Sequence, residues 1–153
     1  MDLKSKIVLK IAIFSAILIL LDQASKILAI VYLNDNPLNL IPNWVKLSLH
    51  FNEGLAFSIP IKGIFVPLAV LFFITLLLKK YGDRHIHMER KEFLITSSLV
   101  YGGAVSNLID RFVHSYVIDF ISVLSFPVFN LADSFITISA ILIILFQNKL
   151  FKS

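Results

Sequence analysis

Four long apolar stretches determine what this chain can fold into. They run from Ile7 to Leu33, from Ile64 to Leu78, from Phe93 to Ile109 and from Leu131 to Phe146. A helix needs about 20 mostly apolar residues to cross a bilayer. The second stretch approaches that length when it is extended backward through residues 59–61, and the fourth when it includes residues 126–129. The pattern therefore predicts four transmembrane helices.

The composition agrees with a membrane protein. Hydrophobic residues make up 58% of the chain and charged residues 16%, against about 45–50% and about 25% in soluble domains. Four crossings use most of the 153 residues, so we expect a single membrane domain over residues 1–153. Its helices are predicted at about 7–33, 60–78, 93–110 and 131–147. The absence of cysteine excludes disulfides, a cysteine nucleophile and cysteine-based zinc sites.

The basic residues predict the orientation of these helices. Ten of the fourteen lie at the start of the chain, in the 79–92 loop or at the end of the chain, namely Lys4, Lys6, Lys10, Lys79, Lys80, Arg84, Arg90, Lys91, Lys149 and Lys152. Cytoplasmic loops carry an excess of lysine and arginine. We therefore expect both termini in the cytoplasm and the 34–63 and 110–130 segments outside. No small-residue cleavage pattern follows Leu21, so we expect the first helix to be retained.

The segment at 34–59 has a pattern of its own. From Trp44 to Asn52 the side chains alternate, with Val45, Leu47, Leu49 and Phe51 on one face and Lys46, Ser48, His50 and Asn52 on the other. Asn52-Glu53-Gly54 is typical of a turn, and an apolar run follows it. The fold class expected is thus an all-α integral membrane protein with four transmembrane helices, a small extracytoplasmic β-sheet segment and a flap. This segment is either an ordinary cap over the bundle or a platform for an extended peptide.

Four aspartates lie within or close to apolar segments, where a membrane should exclude an unpartnered carboxylate. Asp22 precedes Lys26 by four residues, which favours a structural ion pair on one helix face. Asp110 adjoins Arg111 and follows Asn107 by one turn, as at a satisfied helix terminus. Asp133 is typical of an N-cap or first-turn acid. Asp119, inside the run Tyr116 to Ile121, has no such local explanation.

Asp119 and Asp133 together suggest aspartic-protease chemistry. Two close carboxylates cannot both ionise cheaply, so they share one proton. The ionised carboxyl then takes a proton from water while the protonated carboxyl polarises the scissile carbonyl. The spacing of fourteen residues from one to the other includes Pro127 and allows the chain to return from the third helix to the fourth, so contact between the two aspartates is feasible.

Five blocks resemble one known family. They are Asp22-Gln23-Ala24-Ser25-Lys26, Asn52-Glu53-Gly54-Leu55-Ala56-Phe57, the run from Gly102 to Arg111, Val117-Ile118-Asp119-Phe120, and Phe129-Asn130-Leu131-Ala132-Asp133-Ser134. In order and spacing they resemble the lipoprotein signal peptidases, also called signal peptidase II. Three residues depart from the family pattern: Leu55 replaces an alanine, while Ser106 and Ser115 replace glycines.

The resemblance implies a function and a set of site residues. The family cleaves the signal peptide from prolipoproteins just before a diacylglyceryl-modified cysteine, without a metal or other cofactor, at the outer face of the bacterial inner membrane. Its catalytic aspartates match Asp119 and Asp133. Its supporting and substrate-binding positions match Asp22, Lys26, Asn52, Gly54, Asn107, Asp110, Arg111, Asn130 and Ala132. The expected partners are the prolipoprotein and membrane lipids, with no nucleic acid, and a monomer is expected.

Other function classes fit the sequence less well. His85, His87 and Glu89 form a loose cluster, but no His-Glu-x-x-His pattern is present and the cluster falls in the basic loop. His114 beside Ser115 lacks a nucleophile elbow. A small ion-coupled transporter that uses aspartates as a proton relay remains the main alternative, and it predicts acids at mid-helix. A noncatalytic assembly factor would tolerate asparagine at 119 and 133.

Overall fold

The computed structural model describes residues 2–34, 36–54, 68, 71, 72, 75, 76 and 91–146. Within these residues lie the helices α1 (Leu3–Leu33), α2 (Lys91–His114) and α3 (Leu131–Leu145), and the strands β1 (Leu38–Ile41), β2 (Val45–Asn52) and β3 (Val117–Val123). Residues 68, 71, 72, 75 and 76 are also helical. Most of the predicted 60–78 helix, the flap beyond Gly54 and most of the 79–92 loop lie outside the described residues.

Helix α1 has the length and surface of a membrane-spanning helix. It begins after Asp2, whose side chain caps it by accepting a hydrogen bond from the Ser5 backbone N–H at 2.9 Å. Its 31 residues extend about 46 Å, which exceeds the ~30 Å hydrocarbon core of a bilayer. Large apolar side chains such as Leu20, Val31 and Tyr32 are exposed on it. In the described part of the chain α1 is the one helix both long and apolar enough to cross a membrane, and α3 is apolar but shorter.

Small residues let α2 pack closely against both other helices. The Ser15 hydroxyl of α1 donates to the Ser98 carbonyl of α2 at 3.2 Å, and Ser139 of α3 donates to the Thr96 carbonyl of α2 at 2.9 Å. A Cβ atom added at Gly103 would lie 2.5 Å from the Ala132 carbonyl oxygen, so a glycine is required at this approach. Helices in lipid associate through such small-residue contacts and hydroxyl hydrogen bonds. The start of α3 is thereby held against the middle of α2.

A three-stranded antiparallel sheet lies at the C-terminal end of α1, in the order β1-β2-β3. The alternation over residues 44–52 correctly predicted β2, and a small sheet is present as expected. The sequence did not predict β3, which pairs with β2 so that Asp119 lies opposite His50 and Asn52 opposite Val117. Phe120 packs with Ala29 and Leu33 of α1, and Leu47 and Leu49 of β2 join that cluster. The sheet is thus fixed to α1 through one apolar face.

Helix α2 continues beyond Asp110, where the prediction placed its end, to His114. The Ser115 backbone N–H then donates to the Arg111 carbonyl at 3.0 Å, and Ser115 takes a positive φ of 67°. This left-handed residue turns the chain directly from α2 into β3. Asp110 is therefore a residue of the last helical turns and not a helix terminus, and Asp119 comes back beside the helix that precedes it.

Candidate active site

Asp119 and Asp133 reach the same buried region from different elements. Asp119 lies on β3 and Asp133 in the first turn of α3. One asparagine donates to both carboxylates: the Asn130 side-chain amide donates to Asp119 Oδ1 at 2.7 Å, and its backbone N–H donates to Asp133 Oδ2 at 3.3 Å. The charge of Asp133 acts on Asp119 across this short separation. The structure therefore brings together the two aspartates that the sequence singled out.

Asn130 takes this position because it is the N-cap of α3. Its side-chain oxygen accepts the Asp133 backbone N–H at 2.9 Å, while Asp133 accepts the Asn130 backbone N–H, which completes a capping box. Such reciprocal pairing satisfies two helix donors that would otherwise be unpaired. Asp133 is thus a first-turn acid, as its sequence context predicted. The cap also fixes the Asn130 amide so that its NH₂ group must face Asp119.

Two further amides complete the hydrogen bonding of the carboxylates. Asn52, at the end of β2, donates to Asp119 Oδ2 at 3.0 Å. Asn107 of α2 donates to Asp133 Oδ1 at 2.8 Å and accepts a hydrogen bond from Asn130 at 3.1 Å. Each carboxylate oxygen thus accepts one N–H, and each retains a lone pair that can carry a proton. Amide hydrogen bonds thus hold both carboxylates in place, and among the described residues no ion pair reaches either one.

The surroundings favour a proton on Asp119. Burial raises the pKa of Asp119 to about 7. The hydrogen bonds from Asn52 and Asn130 oppose this effect, the charge of Asp133 adds to it and the charge of Lys26 reduces it. A carboxyl that titrates near neutral pH can donate and accept a proton under physiological conditions.

A second polar cluster lies beneath the two aspartates. Lys26 of α1 contacts Asp22 Oδ2 at 2.6 Å and Asp110 Oδ2 at 2.8 Å, and all three side chains are almost fully buried. Lys26 also donates to Asn107 Oδ1 at 3.1 Å. Asp22 Oδ1 accepts the backbone N–H of Ala132 at 2.8 Å, so this cluster holds the first turn of α3.

The structure corrects one interpretation of this cluster and confirms another. The Asp22–Lys26 pair predicted from their spacing is present. Asp110, however, is not satisfied by Arg111 as expected, because it faces the helix bundle and bonds Lys26, Gln23 and the Ile118 backbone N–H. Arg111 instead donates to the Gly54 carbonyl. Gly54 in turn donates its N–H to Asn52 Oδ1 at 3.0 Å, which holds the turn after β2 beside Asp119.

Two members of the network were missed by the sequence reasoning. Gln23 donates to Asp110 Oδ1 at 2.8 Å and to Ser106 Oγ at 3.0 Å, and Ser106 donates to Asp22 Oδ2 at 2.7 Å. Gln23 lies inside the first family-like block, and Ser106 was noted only as a departure from a glycine. The two aspartates and the nine supporting residues predicted from the sequence all lie in one connected region. Leu55 and the His85-His87-Glu89 cluster lie outside the described residues.

The arrangement suits proton transfer at a carbonyl more than metal binding. In the part of the chain that the structure describes, no group of three or more His, Asp or Glu side chains is placed to hold a metal ion. The acids are engaged by amides and by Lys26. Two neighbouring carboxyls with one proton between them can activate water and polarise a carbonyl.

Comparison with known proteins identifies the family. The family model for signal peptidase (SPase) II matches residues 14–149. The chain belongs to the signal peptidase II family. A lipoprotein signal peptidase of Chlorobaculum tepidum is 38% identical over 149 residues, covering 86% of this chain and 90% of that relative. One from Chlorobium phaeobacteroides is 36% identical over 150 residues, covering 90% of this chain and 89% of the relative.

Solved structures of membrane enzymes share this fold. Two structures described as a bacterial membrane enzyme determined by the in meso method, at 2.3 Å and 1.9 Å resolution, superpose with TM-scores of 0.74 and 0.72. Their sequence identities are 26% and 27%, and each covers 94% of this chain, with 91% and 93% of the other chain covered in turn. This member of the signal peptidase II family is therefore a membrane protein, and the resemblance drawn from its sequence blocks is confirmed.

Proposed function

We propose that this protein is an aspartic endopeptidase that removes the signal peptide from diacylglyceryl-modified prolipoproteins, with Asp119 and Asp133 as its catalytic pair. Membership of the signal peptidase II family supports the reaction and its prolipoprotein substrate. The observation that carries the catalytic assignment is the double hydrogen bond of Asn130, which ties one carboxylate to the other.

The mechanism follows from one proton held between the two carboxylates. Asp119, whose pKa of about 7 leaves it substantially protonated at neutral pH, donates its proton to the scissile carbonyl oxygen. Ionised Asp133 takes a proton from the attacking water, so that the water oxygen bonds to the carbonyl carbon. The tetrahedral intermediate collapses when the proton on Asp133 passes to the leaving amine and one hydroxyl of the intermediate returns its proton to Asp119. The net result is hydrolysis, and the pair returns to its starting protonation.

The supporting residues keep this pair rigid during turnover. Amide donors from three elements aim at the two carboxylates, and they stabilise the charge that moves from one carboxyl to the other. Preorganised donors of this kind need not reorient as charge develops. Asn52 ends β2 beside Asp119 and Gly54 lies in the turn that follows, which is where we expect the peptide to lie under the flap.

The membrane placement is part of the same proposal. We place four helices across the bacterial inner membrane, with both termini in the cytoplasm and the aspartates toward the outer side. The substrate's lipid then lies among the helices and membrane lipids, and the enzyme acts as a monomer. A proton-relay transporter fits less well, because it requires acids along a central pathway. Asp119 lies on a strand instead, and Asp133 in the first turn of α3.

The test is cleavage of a diacylglyceryl-modified prolipoprotein by purified protein in detergent or lipid. Asp119→Asn and Asp133→Asn should lose turnover by at least about 1,000-fold, because asparagine cannot exchange the shared proton. Asp2→Asn is the matched control, since it removes an exposed carboxylate while keeping a good N-cap. Helical content by circular dichroism should be the same in all variants. Activity near wild type in either Asn variant of the pair rules out the mechanism.

A further inference from the structure

Ser106 lies at the centre of the buried cluster, although it touches neither carboxylate of the proposed catalytic pair. Its side chain is completely buried in α2, one residue before Asn107. The hydroxyl donates to Asp22 Oδ2 at 2.7 Å, and the same oxygen accepts from Gln23 Nε2 at 3.0 Å. A glycine, the residue usual here in the family pattern, has neither group. This chain therefore carries a hydrogen bond to Asp22 that a glycine cannot make.

The charges of the cluster explain why Asp22 needs that bond. Asp22 and Asp110 are two buried carboxylates that share one ammonium group, that of Lys26. A buried ionised carboxylate is costly unless hydrogen bonds complete its pairing. Ser106 supplies a neutral donor to Asp22, and Gln23 supplies one to Asp110 at 2.8 Å. The serine and the glutamine thus each supply one hydrogen-bond donor, and together they take the place of a second cation.

The bond from Ser106 also sets the position of the other Asp22 oxygen. With Oδ2 held by Ser106 and Lys26, Oδ1 faces the backbone N–H of Ala132 at 2.8 Å. Ala132 is fully buried and directly precedes Asp133 in the first turn of α3. The orientation of the Asp22 carboxylate therefore fixes the backbone that carries Asp133.

We propose that Ser106 is a positioning residue for Asp133, acting through the Asp22 carboxylate and the Ala132 N–H. This inference rests on the proposed function, in which Asp133 is one of the two catalytic carboxyls. Ser106→Ala leaves Asp22 Oδ2 with Lys26 alone, and the carboxylate is then free to turn away from Ala132. A small displacement of a catalytic group lowers the rate of the chemical step more than it lowers substrate binding.

The test compares two substitutions that remove the hydroxyl in different ways. Ser106→Ala fills most of the side-chain space, whereas Ser106→Gly leaves room for a water molecule that can donate to Asp22. Glycine in a helix interior is less stable than alanine by roughly 0.5–1 kcal/mol. We therefore expect kcat to be higher in Ser106→Gly than in Ser106→Ala, and thermal stability to be higher in Ser106→Ala than in Ser106→Gly. A residue needed only for packing would give the same order in both measurements.

Ser106→Ala should lower kcat between about tenfold and about 100-fold, with KM within about twofold of wild type. Ser98→Ala is the matched control, because it removes another buried hydroxyl of α2, one that donates at 2.8 Å to Leu94 of the same helix. Its kcat should equal that of wild type.

Two outcomes would overturn the positioning role even when Asp133→Asn is inactive. One is a wild-type kcat in Ser106→Ala, and the other is an order of kcat values that follows the order of thermal stability. An active Asp133→Asn instead overturns the proposed function itself.

Discussion

At the scale of single residues, the protonation of Asp119 is set by competing neighbours. Burial raises its pKa to about 7, and the amides of Asn52 and Asn130 act in the opposite direction because each stabilises the ionised form. A fully desolvated carboxyl without these donors would hold its proton to higher pH. The amides thus keep Asp119 able to release its proton near neutral pH.

This balance predicts a pH profile and its change in a variant. In the proposed mechanism the pair carries one proton, so kcat/KM should fall as pH rises through about 7, where Asp119 loses its proton. Asn52→Leu removes one donor to the ionised form without admitting water. The falling limb should then move upward by about one pH unit. Asn39→Leu, on the strand that does not pair with β3, should leave the limb in place, and a limb that moves downward in Asn52→Leu contradicts this role of Asn52.

Ser115 gives a prediction about stability at the residue scale. Its φ of 67° lies in the left-handed region, which costs a non-glycine residue roughly 1–2 kcal/mol. Ser115→Gly removes that strain but makes the unfolded chain more flexible, so the net gain should be at most about 1 kcal/mol. The thermal midpoint in detergent should rise, with kcat unchanged. Ser125→Gly, at an exposed turn residue outside the left-handed region, should give no rise.

At the scale of helices and strands, the sequence predicted the elements with a local signal and missed the others. The alternation of β2 and the apolar length of α1 are visible in the chain itself. Strand β3 is buried at Val117, Ile118, Asp119 and Phe120 in succession, so it has no period-two pattern and forms through its pairing with β2. Asp110 was misjudged for a related reason, because Lys26 reaches it from another helix. Contacts between segments far apart in sequence determine both the formation of β3 and the partners of Asp110.

The packing of α2 on α3 predicts which glycine matters for catalysis. A Cβ atom at Gly103 would lie 2.5 Å from the Ala132 carbonyl oxygen, so Gly103→Ala must push the first turn of α3 away. We expect a loss of about 1–3 kcal/mol in stability and a lower kcat in the folded fraction, because Asp133 moves with that turn.

Gly102→Ala is the control for that variant. Its added Cβ would meet Leu18 Cβ of α1 at 2.8 Å, whereas the Cβ at Gly103 would meet α3. It should lower the thermal midpoint while changing kcat less than Gly103→Ala does. Equal kcat values in the two folded variants would show that α2–α3 spacing does not control Asp133.

At the scale of the whole molecule, the buried polar network joins segments that are far apart in sequence. Asp22 on α1 bonds Ala132 on α3, and Asn52 on β2 bonds Asp119 on β3. The family-like blocks predicted that the residues of this network belong together, because each block supplies at least one of its members. The sequence did not predict which atoms pair, since that depends on how α1, α2 and α3 pack. Ser106 shows the difference, because its position looked like a simple departure from the family pattern.

Helix α1 predicts how the molecule is oriented across the membrane. Helix α1 separates Ser5, near the basic N-terminus, from Asn39 on the exposed strand β1. Its length of about 46 Å exceeds the ~30 Å bilayer core, so the two residues should lie on opposite sides of the membrane. The positive-inside rule places Ser5 in the cytoplasm and Asn39 outside.

The chain's lack of cysteine makes this orientation directly measurable. Single substitutions Ser5→Cys and Asn39→Cys introduce one thiol each, with no native thiol to give background. In intact spheroplasts a membrane-impermeant maleimide should label Asn39→Cys and should label Ser5→Cys only after the membrane is opened. Retained cleavage activity verifies that each variant is folded. Labelling of both residues in intact spheroplasts would mean that α1 does not cross the membrane, and labelling of Ser5→Cys alone would reverse the orientation and place the aspartates on the cytoplasmic side.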